Sequence, residues 1–237
     1  MKFGITQSFN CSYLPDEQER LLVYAEDSVF QAWQYSQLIQ AGFRRSGEQI
    51  YRPHCLNCKA CKSVRIPVAD FVPSRSQKRI LRKNKEFSVK FADKPAPSYS
   101  PLYARYITQR HADGSMYPPS KEQFDNFVLC DWMKTHFLEA YDGDKLIAVA
   151  VTDVVDENEQ SNALSALYTF FEPELEHASL GTWMILQQIE QAKHLGFQYV
   201  YLGYYVEGCQ KMSYKHKFLP FEQFIDNQWQ RVSTNTL

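Results

Sequence analysis

No window of this 237-residue chain approaches the run of about 18 apolar residues that a membrane-crossing helix requires. The opening Met1-Lys2-Phe3-Gly4-Ile5-Thr6-Gln7 also lacks an apolar core of secretory-signal length, so we expect a cytoplasmic protein with no membrane partner. An excess of one charge is missing too. The 26 Lys and Arg stand against 27 Asp and Glu, which excludes a chain that coats nucleic acid over its whole surface. Internal repeats and low-complexity stretches are absent. So is a second, separated pair of Cys-x-x-Cys, the usual mark of a zinc module.

What is present suits a globular core. Apolar types make up 44% and charged types 22%, with 15 Tyr and 16 Phe, enough to line both a core and a binding site. The clearest break in composition is Ala92-Asp93-Lys94-Pro95-Ala96-Pro97-Ser98, a proline-rich connector. We place a boundary there, giving domains 1–92 and 93–237.

Before the break, Ser28 is positioned to cap a helix carrying Val29, Trp33, Leu38 and Ile39, closed by Gly42. Phe43-Arg44-Arg45 and Gln49-Ile50-Tyr51 form a hairpin through Ser46-Gly47-Glu48. A strand over 63–68 follows the cysteine segment. Ser74 then caps a basic helix from Arg75 to about Lys85, and residues 87–91 alternate as a strand does.

After the break, helical spacing covers 99–111 and 121–132. Strands over 137–141 and 146–153 flank Asp142-Gly143-Asp144-Lys145, a hairpin signal. A third strand covers 163–171. Ser179 opens a helix with Leu180, Trp183, Leu186, Ile189 and Ala192, and Gly196 ends it. The apolar strand at 199–203 belongs at a sheet centre.

Antiparallel strands followed by a helix and a buried strand give an α/β (α+β) fold. It comprises a small cysteine-containing N-terminal domain and an acetyltransferase-like (GNAT) C-terminal domain with a mixed sheet. Enzymes of that fold hold the pyrophosphate of coenzyme A on a glycine-rich turn at the head of the central helix. Here the turn reads Glu176-His177-Ala178-Ser179-Leu180-Gly181-Thr182. One glycine and a leading acid make a poor cradle for phosphates, which need closely approached backbone amides.

Three clusters can carry chemistry. Cys55, Cys58 and Cys61, with the distant Cys11, could supply four thiolates to zinc or an iron–sulfur cluster; the alternative is a tight turn of small buried thiols. Arg75, Lys78, Arg79 and Arg82 share one helix face. Such a face can grip a carboxylate in bidentate fashion or contact tRNA phosphates, and it can also be a plain solvated surface. Beyond the apolar strand, Tyr204, Tyr205, Lys211 and Lys215 alternate rings with cations. They could stack on an adenine and hold its phosphates, or form an aromatic core edge with solvated lysines.

Cys11-Ser12-Tyr13-Leu14-Pro15, Tyr51-Arg52-Pro53-His54-Cys55-Leu56-Asn57-Cys58-Lys59-Ala60-Cys61, Ser74-Arg75-Ser76-Gln77-Lys78-Arg79, Ser179-Leu180-Gly181-Thr182, Gly203-Tyr204-Tyr205-Val206 and Lys211-Met212-Ser213-Tyr214-Lys215 resemble the arginyl-tRNA–protein transferase family, most closely its leucyl branch. The resemblance covers nearly the whole chain. It implies an aminoacyltransferase of the N-end rule pathway that moves leucine from leucyl-tRNA to proteins beginning with Asp or Glu. Arginine as donor is the alternative, and a coenzyme A-dependent N-acetyltransferase or an RNA-binding module with a zinc knuckle is a more remote one.

An ester on tRNA is already activated, so no cofactor is needed for the chemistry. We expect Arg75, Lys78, Arg79 and Arg82 to bind the acidic N-terminus, and Tyr204, Tyr205, Lys211 and Lys215 to bind tRNA. The candidate proton acceptors are Asp153, Tyr168 and Glu207.

Overall fold

A computed structural model describes residues 1–26, 30–114, 116–155 and 162–233. In chain order the N-terminal strands are β1 (Phe3–Ile5), β2 (Phe9–Asn10), β3 (Gln18–Glu19) and β4 (Leu21–Tyr24). Next come α1 (Ala32–Gln40), β5 (Arg44–Ser46), β6 (Gln49–Pro53), β7 (Cys61–Pro67), α2 (Arg75–Lys83) and β8 (Ser88–Ala92). The rest is α3 (Tyr99–Arg110), α4 (Lys121–Val128), β9 (Thr135–Asp142), β10 (Lys145–Val155), β11 (Ala163–Phe171), α5 (Leu180–His194), β12 (Tyr199–Val206), β13 (Phe221–Ile225) and β14 (Gln228–Val232).

Local chemistry explains most of these bounds. Ser74 accepts a hydrogen bond from the Gln77 backbone while the Gln77 amide oxygen accepts from the Ser74 backbone, a reciprocal cap that starts α2 at Arg75. Gly143, at φ 57°, makes the tight turn between β9 and β10. Asp226 and Asn227, both at positive φ, do the same for β13 and β14, a hairpin we did not expect. Ser28 lies outside the described residues. The α1 helix begins after Gln31, whose backbone N–H donates to Gln34 Oε1 at 2.9 Å. The α4 helix stops at Val128 rather than running to residue 132, because Trp132 turns away to pack edge-on against Phe30 and Tyr35.

The fold is α/β with a mixed sheet of eight strands in the order β14-β13-β7-β12-β11-β10-β9-β8. Every pair is antiparallel except β11 and β12, which run parallel and are joined through α5. The apolar strand β12 is central, as its composition demanded. A second sheet, β1-β4-β6-β5, comes from the N-terminal residues. The boundary placed at 92/93 runs through the large sheet, since β7 is inserted between β12 and β13 while β8 lies at the far edge.

Both faces of the large sheet are covered. On one side Trp183 and Met184 of α5 meet Leu138, Ala140, Ala148 and Ala150, and Ile185, Leu186 and Ile189 meet Val64, Leu164 and Val200. On the other, Tyr99, Leu102, Tyr103 and Phe124 pack on Phe137, Val149, Val151 and Phe170. The residues of β10 thus alternate between the two layers. Beside them, Tyr35, Leu38, Ile39, Phe43 and Ile50 seat the N-terminal unit on Val155, Ala163 and Tyr201. Each fully buried aliphatic or phenylalanine side chain contributes about 1.5–3 kcal/mol.

Candidate active site

Parallel pairing between β11 and β12 extends only through Ala163–Tyr199, Leu164–Val200 and Ser165–Tyr201. Beyond that point the strands part. A bulge marks the parting on each: Leu167 has no register partner on β10, and Leu202 has none on β7. The cleft between the parted halves lies at the carboxyl ends of the central strands, where open α/β sheets take ligands.

The walls are phenolic and cationic. Tyr168, Tyr106 and Phe171 cluster on the β11 side, with Tyr106 and Phe171 ring centroids 4.8 Å apart. The His111 ring nitrogen Nε2 is 3.2 Å from the Tyr106 hydroxyl, and burial first, then Lys211, lowers its pKa. On the β12 side the Lys215 ammonium is buried and donates to the Tyr204 carbonyl. Burial, followed by the Arg44 guanidinium, pulls it down to about 7. The Tyr214 phenol is pushed up to about 12 by burial first, with Tyr106 adding to the rise and Arg44 opposing it.

Arg44 sits across the gap itself. Its Nη2 donates to the Ala166 carbonyl of β11 at 2.7 Å, and its Nε is 3.6 Å from where a Cβ on Gly203 of β12 would stand. A side chain at Gly203, where φ is 79°, would be strained by the backbone, although a Cβ there would meet the guanidinium only at ordinary contact distance.

The expected proton acceptors divide. Asp153 is not available: its side chain and that of Arg45 are fully buried, Arg45 Nε donates to Oδ2 at 2.7 Å, and Thr135 donates to Oδ1 at 2.9 Å. A buried carboxylate needs that compensation, so the pair is structural. Glu207 is exposed at the end of β12 and ion-paired to Lys62 at 3.3 Å. Tyr168 does line the cleft, but burial raises its pKa far above neutrality, so it stays a phenol able to donate a hydrogen bond.

The aromatic and lysine group is also split. Tyr204 is buried and its hydroxyl donates to the carbonyls of Gly42 at 2.9 Å and Tyr51 at 3.2 Å, so it tethers the N-terminal unit and offers no face to a base. The buried Lys215 lines the cleft and offers nothing to an outer phosphate. Tyr205 has one face covered by His216, with ring centroids 3.8 Å apart. Only Lys211 is exposed, 2.9 Å from Asp113, whose carboxyl it holds below the ordinary range.

The α2 helix presents Arg75, Lys78, Arg79 and Arg82 to solvent. The Gln77 amide donates to the Lys217 carbonyl at 2.9 Å, and Lys83 and Asn84 donate to the carbonyls of His177 and Ala178, each at 2.8 Å. These bonds set the basic face between the lysine segment after β12 and the head of α5. That head is a short 3-10 helix, Pro173–Ala178, bearing Glu174 and Glu176, with Ser179 left-handed at φ 54°. It shows acids where a phosphate cradle would show bare amides.

The four cysteines lie near one another. Burial, then Cys55 and Cys11 among its neighbours, pushes the Cys61 thiol up to about 12. Cys11 Sγ accepts from the Tyr13 backbone at 3.5 Å and Cys55 Sγ donates to the Arg20 carbonyl at 3.9 Å. Among the described residues no three His, Cys, Asp or Glu side chains stand close enough to hold a metal ion.

The sequence is similar to known proteins along its whole length. Residues 9–79 match the model of the arginine-tRNA-protein transferase N terminus, and residues 98–225 that of its C terminus. The chain belongs to the arginine-tRNA-protein transferase family. Its similar members include an aspartate/glutamate leucyltransferase of Pseudoalteromonas atlantica, 53% identical over 98% of this chain and 98% of its own. Proteins of the same name from Aeromonas salmonicida and Pseudomonas fluorescens are each 48% identical, over 99% and 97% of this chain and 96% of their own. Among the described residues of this transferase, no helix is long and apolar enough to cross a membrane.

Arg44 and Lys215 are the cleft residues whose roles sequence patterning did not reveal. Two arginines in a strand flanked by Phe43 and Ile50 were a signal, because strand alternation must send at least one of them inward.

Proposed function

We propose that the protein transfers leucine from leucyl-tRNA to the N-terminus of proteins that begin with Asp or Glu, and does so in the cytoplasm. The observation that carries it is the parting of β11 and β12 beside phenols and a buried lysine, with the exposed basic helix α2 tied through Gln77 to Lys217 in the same segment as that lysine. The similar relatives, aspartate/glutamate leucyltransferases by name, suggest the donor and acceptor. An enclosed site suits an aminoacyl ester and an amine, and the exposed Arg75, Lys78, Arg79, Arg82, Lys211 and Lys217 suit the phosphates of the attached RNA.

The acceptor α-amine attacks the ester carbonyl carbon, a C–N bond forms, and the C–O bond to the terminal ribose breaks. The ribose oxygen leaves with a proton. Lys215, buried at the cleft wall, takes the proton from the attacking amine and returns it to that oxygen. The backbone amide of Leu167 stabilises the carbonyl oxygen as charge develops there. Aligning the two reactants supplies much of the acceleration, about 7–11 kcal/mol in well-oriented intramolecular cases.

The test supplies Glu-, Asp- and Gln-start peptides with a mixture of charged tRNAs and reads the added residue by mass spectrometry. Leucine on the Glu and Asp peptides is the expected product. Addition of arginine instead, or acetylation from acetyl-coenzyme A, would overturn the assignment.

A further inference from the structure

A buried arginine without an anion is an incomplete site. Arg44 is 4% exposed, and its Nη1 has no hydrogen-bond partner. Among the described residues no carboxylate pairs with it, whereas its neighbour Arg45 is closed on Asp153. The groups that feel its charge come from every element around it: Tyr35 of α1, Tyr51 of β6, Tyr201 and Tyr204 of β12, and Tyr214 and Lys215 beyond β12. All are phenols or cations. Asp153 also acts on Tyr35, but both its oxygens are already bonded to Arg45 and Thr135. A guanidinium cannot shed its proton to escape the cost of burial, so the unpartnered Nη1 calls for a negative group from outside the chain.

We propose that Arg44 reads the acidic side chain of the acceptor's first residue, its Nη1 donating to the Asp or Glu carboxylate within the β11–β12 cleft. This rests on the transfer reaction proposed above and names the residue behind its acceptor preference. The Ala166 carbonyl holds the guanidinium fork in one orientation, with Gly203 of the opposite strand close alongside it. Lys215 is its neighbour, so the acceptor's carboxylate and amine, a few bonds apart, meet Arg44 and Lys215 together. A tRNA phosphate is the poorer fit. Its backbone is bulky and solvated, and the exposed cations of α2 already offer it a surface. A carboxylate is small and planar and matches a single buried guanidinium.

The test uses the full chain and paired peptides that differ only in Glu versus Gln, or Asp versus Asn, at the first position. For Arg44→Met, kcat/KM for the Glu peptide should fall about 10- to 100-fold, the cost of losing a charge-assisted hydrogen bond, mainly through KM. The Gln peptide should change little, so the Glu/Gln ratio collapses. Arg44→Lys should restore part of that ratio. Calorimetric binding of the same peptides, which needs no donor, should show the same loss of discrimination. Leucyl-tRNA affinity and the melting temperature report whether the variant is folded, and Arg44→Lys serves if Arg44→Met is not.

An unchanged Glu/Gln ratio in binding and transfer sinks the proposal. Equal losses on both peptides, confined to kcat, would assign Arg44 to the ester carbonyl instead and overturn it as well. Failure of the underlying reaction is separate: the unsubstituted protein would then add no leucine to a Glu peptide, while its calorimetric preference still reads out Arg44.

Discussion

Two adjacent residues of β5 have opposite fates, and the difference is chemical. Arg45 is neutralised by Asp153 in a fully buried pair, so removing one partner strands the other. Asp153→Ala is expected to cost about 3–5 kcal/mol, measured by urea denaturation, while Asp153→Leu with Arg45→Met should recover much of it. Lys215 is the other residue whose setting makes a measurable statement. Its folded value of about 7 lies below its ordinary 10.5, so the unfolded chain binds the extra proton between these limits. The penalty is therefore complete below pH 7 and fades as pH rises toward 10.5, and stability climbs over that window. Lys215→Met should flatten this climb. In transfer kinetics, the wild-type rate should fall off with two protons below pH 7, where both Lys215 and the acceptor amine are charged. In Lys215→Met the remaining rise should follow the acceptor amine, whose pKa is about 7.7–8.0. Coincident profiles for the two proteins would remove Lys215 from the proton path.

At the scale of the element, α2 is a helix whose start was legible and whose purpose was not. The Ser74–Gln77 cap could be read from residue order, and Ser74→Ala should destabilise the protein by about 1 kcal/mol. From the sequence we expect this basic face to bind the acceptor's acidic N-terminus, with tRNA phosphates as the other contact such a face can make. Its position beside Lys217 and the head of α5, fully in solvent, favours phosphate. Replacing Arg75 and Arg79 with Ala should weaken tRNA binding and lower the log–log salt slope by about 0.7–0.9 for each phosphate the helix no longer neutralises. The Glu/Gln preference should persist. If instead salt dependence is intact and peptide preference disappears, α2 reads the acid after all. The helix–strand order of α5 and β12 was legible from periodicity and apolar runs, because burial of one face or both leaves a clear pattern. The strands β1 to β4 were not: they are two to four residues long, too short for alternation to register.

Across the whole molecule, the large sheet takes β7 from one side of residue 92 and its neighbours β12 and β13 from the other. Val64 and Ile66 of β7 belong to the same core as Leu186, Val200 and Phe221. A fragment of residues 93–237 therefore lacks the middle of its own sheet. It is expected to show no cooperative thermal transition by calorimetry, whereas the two fragments mixed should regain one if they reassociate. A sharp transition in the isolated fragment would make the C-terminal unit self-sufficient.

The order of elements from α1 to β12, the central place of β12, the capped basic helix and the acid-led turn before α5 follow from the amino-acid sequence alone, because each depends on neighbours within a few residues. The motifs spread along the chain likewise sufficed to point to a family of aminoacyl transferases. What folding in three dimensions decided was the fate of charge. Whether an arginine, lysine or aspartate is spent on a partner or left facing a cleft depends on residues more than a hundred positions away, such as Ala166 for Arg44 and Asp153 for Arg45. Burial makes that distinction costly, and burial is a property of the packed molecule.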